Sequence, residues 1–368
     1  MVVLSRSFLE PFAKDRVVAS NVAVASAVSS PWPDSPIGLL RDRVSRFVGL
    51  DTNTEPQSER VFHEVVGSIH LLCAAIAYAE ASGVSAAQIR REVEPARSIH
   101  ARSPLGAHLQ RWPRGYMGDF EVIERLMSPC NTAAPGTIEY WIEHYALHSA
   151  VAQQHRNKVS RQQELIEQVA RASAGATVTA AASASASSSA SSSEAASRVL
   201  LIACGSAPDL RRVSASTWQS STFVLNDADE DALAFCSRRM ADRLDRITFV
   251  PGSVFKRLAR LRELGPYDLV LAGGLFDYLP ERAASVLIRT VIERLLAPGG
   301  RFFFTNINAG NPFRHWIEYL ADWMLIERSE TDIARLIQES AKDIPCDVEI
   351  ARDASNLSIL ATLQRQRQ

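Results

Sequence analysis

Residues 198–209 read RVLLIACGSAPD and residues 222–227 read TFVLND. Each is a short apolar run that closes on small or acidic residues, the pattern of a buried strand delivering its end to a turn. Three more runs follow, Ile247 to Val250, Tyr267 to Ala272 and Arg301 to Thr305, with amphipathic helical stretches between most of them. Strands alternating with helices predict a mostly parallel sheet covered on both faces. Candidate strands at Trp323 to Glu327, Asp347 to Ile350 and Leu357 to Leu363 complete the series, the last two close enough to pair as antiparallel neighbours.

The preceding half of the chain is built differently. Val61, Val65, Ile69, Leu72 and Ile76 recur at three- and four-residue steps, which predicts an amphipathic helix from Glu59 to Ala81. Ser85 with Gln88 forms a capping-box pattern ahead of Ile89 and Val93, and Ile138 to Ala170 is helical by the same period. Residues 172–197 are almost wholly Ala, Ser, Thr and Gly, with too few large side chains to offset the entropy of ordering them. The expected organisation is therefore an arm over 1–50, an all-helical domain over 51–171, a flexible linker over 172–197 and an α/β domain over 198–368.

The 368 residues suffice for two domains at roughly 100 to 200 residues each. Lys plus Arg total 40 against 41 for Asp plus Glu, so no strong field draws in a polyanion, and nucleic acid is not an expected partner. Cys73, Cys130, Cys204, Cys236 and Cys346 are scattered and never spaced as C-x-x-C, which fits reduced thiols in a cytoplasm. The apolar run from Val17 to Val28 is interrupted by Ser20, Asn21 and Ser26, too short and polar for an integral membrane segment.

In a parallel sheet, ligands bind beyond the carboxyl ends of the strands where strand order reverses. Gly205 permits a tight turn after the first strand, with Ala203 and Ala207 standing where glycines are often found. A plain strand-to-helix turn would read the same. Asp227, 22 positions on, ends the second strand, where a carboxylate can accept from both hydroxyls of an adenosine ribose. Ala203, Gly205, Ser206, Asp227 and Ala228 are thus candidate cofactor contacts. Ser253 and Val254 follow the third strand, where an adenine ring would meet backbone amides. Ala272, Gly273 and Gly274 end the fourth and leave room for a small aliphatic group. Phe276 and Tyr278 could wall an acceptor site, although Phe276 reads equally well as core.

At this order and spacing, residues 198–363 resemble the class I S-adenosylmethionine methyltransferases, a Rossmann-like fold. A dinucleotide dehydrogenase fits less well, because the phosphate-cradling G-x-G-x-x-G is absent. Two upstream stretches, Trp112 to Glu121 (WPRGYMGDFE) and Trp141 to Tyr145 (WIEHY) leading to Ala152 to Lys158 (AQQHRNK), narrow the likeness. With Gly274 to Leu279 (GLFDYL), Thr305 to Ile307 (TNI) and Trp316 to Trp323 (WIEYLADW), they resemble bacterial methyltransferases of extracellular-factor 3-hydroxypalmitic acid methyl ester biosynthesis. The resemblance implies S-adenosyl-L-methionine as cofactor and a small-molecule acceptor, with a hydroxy fatty acid carboxyl as the leading choice. Other readings stay open: an O- or N-methyltransferase of a secondary metabolite, or a non-catalytic scaffold that binds the cofactor. A homodimer is compatible with any of them.

Gly115 and Gly118 bracket Tyr116 in a turn, with Asp119 as the cap of the next helix, so this stretch reads as part of a lid over the substrate. Arg156 is a candidate cofactor contact, a clamp for the carboxylate of the cofactor or of the acceptor, or else a surface residue of a polar helix. His144 and His148 sit one turn apart and, with Tyr116, are the candidate acid-base groups for an acceptor that must lose a proton. His155 lies about 10 Å further along the axis, so no metal site is expected. Asn306, near the fifth strand, is a candidate substrate contact alongside Tyr116, Phe276 and Tyr278.

Overall fold

A computed structural model describes residues 35–50, 59–183 and 196–367 of the chain. Most of the expected arm, 1–34, lies outside them. The described chain falls into two compact units. One runs up to Ser149 and regains Pro312–Met324; the other comprises Ala150–Asn311 and Leu325 onward.

The first unit is helical: α1 (Pro36–Gly49), α2 (Glu59–Ala81), α3 (Ala86–His100), α4 (Pro104–Arg111), α5 (Phe120–Met127), α6 (Ile138–His148) and a short helix Arg314–Tyr319. Its helices start where the sequence supplies caps. Ser85 accepts from the Gln88 amide, and Asp119 accepts from the amides of Glu121 and Val122. In α2 the residues at three- and four-residue steps, Val61, Val65, Ile69, Leu72 and Ile76, are all buried, together with Cys73, Ala75 and Ala79. By length and composition α2 is also the one helix among the described residues that could cross a bilayer. Near its end Glu80 receives hydrogen bonds from Arg314, from His315 Nε2 at 3.1 Å and from the Tyr319 hydroxyl at 2.6 Å. Burial pushes the Glu80 carboxyl up, but these three donors outweigh it and hold it at about 2.

The second unit opens with α7 (Ala150–Ser183) and carries a seven-stranded sheet in the order β3-β2-β1-β4-β5-β7-β6. The strands are β1 (Ser197–Ile202), β2 (Ser221–Asp227), β3 (Ile247–Pro251), β4 (Tyr267–Ala272), β5 (Leu296–Ile307), β6 (Cys346–Arg352) and β7 (Ser358–Arg365). The first five pair in parallel, and β7 runs antiparallel to both β5 and β6. This is a Rossmann-like sheet, mostly parallel with antiparallel strands at its C-terminal edge. Alternate residues enter two cores. Leu200, Ile202, Val270 and Phe304 point to one face, while Val199, Leu201, Leu271 and Phe303 point to the other, where Leu165, Ile166 and Val169 of α7 cover them.

Three expectations change. The continuous helix from Ile138 to Ala170 is broken at Ser149, whose extended backbone (ψ 160) ends α6, and α7 starts afresh. Helix α7 then continues to Ser183, so the expected linker begins inside it; the high helix propensity of alanine outweighs the competition from serine there. Residues 184–195 lie outside the described part. Finally, Trp323 to Glu327 is not a strand. The Trp323 amide bonds to Ile317 O and the Ile326 amide to Asp277 O, partners that belong to loops and helix ends rather than to a ladder.

Candidate functional site

Strand order reverses between β1 and β4, so the carboxyl ends of these two strands, with that of β2 beside them, frame the crevice of an open α/β sheet. Beyond β1 the backbone turns left-handed at Ala203 (φ 50), Gly205 (φ 53) and Ala207 (φ 47). A side chain in that region costs roughly 1 to 2 kcal/mol, and such strain persists where the surroundings enforce it. The loop therefore keeps a glycine-like path with alanine at two of its three positive-φ sites. Ser206 between them is buried.

Asp227 is what enforces the path. Its Oδ2 accepts from the Gly205 amide at 2.7 Å and its Oδ1 from the Asp229 amide at 2.9 Å, tying the end of β2 to the loop after β1. It is 3% exposed, and burial pushes its carboxyl up. Two amides use about half of the acceptor capacity of a carboxylate, which leaves lone pairs for further donors such as vicinal hydroxyls. Ala228 follows, half-buried. Gly252, left-handed at φ 116, returns its amide to Asp227 O at 2.7 Å, which brings Pro251 to Val254 alongside. Ser253 makes no side-chain cap bond, and Val254 is fully buried. Asn226 is a residue the sequence reading passed over. Its Nδ2 donates to Val250 O and Gly252 O at 2.7 and 2.8 Å, pinning the turn after β3.

At the end of β4, Ala272 is buried, and no heavy atom lies within 4 Å of the position a Cβ would take on Gly274. Thr305 donates its hydroxyl to Gly273 O at 2.7 Å. The next residues face inward. Phe276 is fully buried and stacks on Phe304 with ring centroids 4.1 Å apart, so of its two readings it takes the core. Asn306 is fully buried too. It donates to Ile307 O and Ile326 O and accepts from Arg328 at 2.6 Å, which commits it to bracing the chain after β5. Arg328 also reaches Phe276 O and Leu279 O, at 2.9 and 2.6 Å. Tyr278 remains half-buried.

Helix α7 contributes groups that were not anticipated. Lys158 lies 3.6 Å from Asp277, both nearly inaccessible, and Asp277 also accepts from the Ile307 amide at 2.6 Å. Burial pushes the Asp277 carboxyl up against the pull of that lysine. One turn on, Gln162 donates to Asp209 at 2.7 Å. Arg156 sits roughly 200° around the helix from Lys158 and gives its Nε to Gln153 at 2.8 Å.

The three acid-base candidates belong to the helical unit. Tyr116 is buried in the expected turn, between Gly115 (φ 79) and Gly118 (φ 58). His108 Nε2 approaches Asp119 Oδ2 at 2.8 Å just beyond. His144 and His148 have ring centroids 4.5 Å apart, and His144 also contacts Phe62, Tyr140 and Trp141. The structure thus gathers the cofactor candidates in one unit and the acid-base candidates in the other.

No protein-family model and no curated protein matches the sequence. Among solved structures the chain is similar in fold to a possible exported protein from Bordetella parapertussis, at 14% identity and a TM-score of 0.52, with 90% of this chain and 97% of that one covered. Lower scores link it to the magnesium protoporphyrin IX methyltransferase of Synechocystis with bound SAH (14% identity, TM-score 0.37, 59% and 87% covered). The N-methyltransferase NodS of Bradyrhizobium japonicum gives 17% identity and a TM-score of 0.33, with 47% and 88% covered.

Proposed function

We propose that the protein transfers a methyl group from S-adenosyl-L-methionine to a small organic acceptor, with the carboxyl group of a hydroxy fatty acid as the leading choice. One observation carries the cofactor reading: a buried carboxylate, Asp227, at the end of β2 grips the amide of Gly205 at the end of β1 and keeps acceptor capacity in reserve. The residues suit the group. Asp227 can receive two ribose hydroxyls, and the open space beside Gly274 with the small Ala272 can admit the thioether and amino-acid chain.

The bound donor supplies an activated methyl group on a good leaving group. What the chain must add is alignment and exclusion of water, worth roughly 7 to 11 kcal/mol at best. A carboxylate acceptor is ionised at neutral pH and requires no base. The acceptor class rests on the sequence resemblance to the hydroxypalmitate methyl ester family. Titration calorimetry with S-adenosylhomocysteine tests the first step: Asp227→Ala should weaken binding at least tenfold, and unchanged affinity would overturn the reading. Incubation with labelled donor and 3-hydroxy fatty acids tests the second, with a labelled methyl ester expected.

The close pair His144 and His148 favours one alternative, an acceptor hydroxyl or amine that needs a base. Replacing both histidines by alanine would abolish turnover in that case and spare it for a carboxylate.

A further inference from the structure

The even balance of charge over the whole chain conceals a local excess. Residues 238–262 hold eight Lys or Arg against two Asp, while the chain as a whole is net −1. The stretch wraps one rim of the sheet. Among the described residues β3 is the outermost strand and pairs with β2 alone. The helix Glu230–Arg239 precedes it on one face, where Leu233 and Cys236 join the core that α7 covers. The helix Val254–Leu264 follows it on the other, with Val254 and Leu261 in the opposite core. A 3-10 helix, Ala241–Arg246, joins the first helix to the strand.

Burial of the apolar side of each helix fixes where its cations point. On Val254–Leu264, Lys256, Arg257 and Arg260 fall within about 100° of one another, away from Val254 and Leu261, and all three are exposed. Arg238, Arg239 and Arg262 are exposed towards the ends of their helices. The acids nearby are few and already taken. Asp242 lies 3.2 Å from Arg243, Asp245 3.3 Å from Arg246, and Glu263 3.0 Å from Arg260. Among the described residues no carboxylate pairs with Arg238, Arg239, Lys256, Arg257 or Arg262.

Leu244 stands among these cations, 43% exposed. Like charges gathered on one rim repel one another, a strain that an anionic partner would offset. A nucleic acid would match the charge, but its bases need exposed rings to stack on, and no aromatic side chain in 238–262 is exposed. An aliphatic side chain ringed by cations suits a lipid headgroup layer instead, where the leucine enters the acyl boundary and the cations meet phosphates. We propose that the rim around β3 docks on the surface of an anionic lipid bilayer. This assignment stands independently of the cofactor and acceptor readings above.

Co-sedimentation of the intact protein with vesicles tests it, comparing phosphatidylcholine alone with phosphatidylcholine plus phosphatidylglycerol. Wild type should bind the anionic vesicles at least roughly tenfold more tightly than the neutral ones, and lose that preference in about 0.5 M salt, where screening shortens the reach of each charge. Lys256→Glu with Arg260→Glu, and separately Arg238→Glu with Arg239→Glu, should each weaken binding roughly tenfold or more. The two pairs lie on different helices, so if circular dichroism shows one variant misfolded the other decides. Leu244→Ser should weaken binding roughly fivefold through lost apolar burial. Equal binding to both kinds of vesicle, no loss in any of the three variants, or a single-stranded RNA held more tightly than the anionic vesicles would overturn the proposal.

Discussion

Replacing Lys158 by methionine removes the cation beside Asp277 and leaves a carboxylate that is 3% exposed without its counter-charge. At their 3.6 Å separation, and with an effective dielectric of about 20, the attraction amounts to about 5 kcal/mol. Breaking a buried pair from one side costs roughly 3 to 5 kcal/mol in practice, because the stranded charge cannot return to water. Replacing Asp277 by asparagine as well should recover most of the loss, since the amide oxygen can still accept from the Ile307 amide. Urea unfolding followed by circular dichroism reads this directly, with a midpoint shift of roughly 1 to 2 M for Lys158→Met and little for the double variant. The deficit of the single variant should shrink as pH falls, because a proton on Asp277 discharges the orphan. A single variant within about 1 kcal/mol of wild type, or a double variant that costs the sum of the two singles, would refute the idea that these groups form one electrostatic unit.

Three further outcomes follow from the buried polar groups. His100 is fully buried with Trp316 Nε1 donating to its Nε2, and burial lowers its pKa to about 4. Its neutral form is the native one, so this contribution is complete above about 6.5 and erodes as pH falls towards 4. The stability advantage of wild type over His100→Phe should narrow by about 3 kcal/mol in urea titrations between those limits. Gly273→Ala should cost roughly 1 to 3 kcal/mol in thermal unfolding, and adding Gln162→Ala should relieve it; a persistent cost would show that the amide is not the obstacle. Arg328→Met strips donors from Phe276 O, Leu279 O and Asn306 and should cost about 3 to 5 kcal/mol, measurable as a lowered unfolding midpoint.

The sheet was legible because its strands announce themselves twice, as apolar runs and as runs ending in turn residues. The place of Asp227 at the end of β2 was legible for a related reason: chain order gives it. Lys158, Gln162 and Asp209 were not. On a polar helix a lysine and a glutamine read as a solvated face, and nothing local says that the partners are 119 and 47 residues away. Phe276 reads from sequence as either core or acceptor wall, and Asn306 as a substrate contact. Proximity in sequence to a strand end suggested an open site, while the direction of each side chain, into the core and onto Arg328, is set by packing. Ser149 interrupts a helical period that continues on either side of it, which a periodicity argument cannot see.

The return of Pro312–Met324 to the helical unit has a consequence for how the polypeptide is made. Tyr319, Trp316 and Asp322 supply partners to Glu80, His100 and Arg97, so the first unit is unfinished when the ribosome has passed its last early residue, Ser149. At about 5 to 20 residues per second it must wait roughly 10 to 30 seconds for the missing segment. During that interval the groups that Trp316 and Tyr319 later cover stay open to solvent. A gene truncated at that point would encode a fragment lacking its own closure.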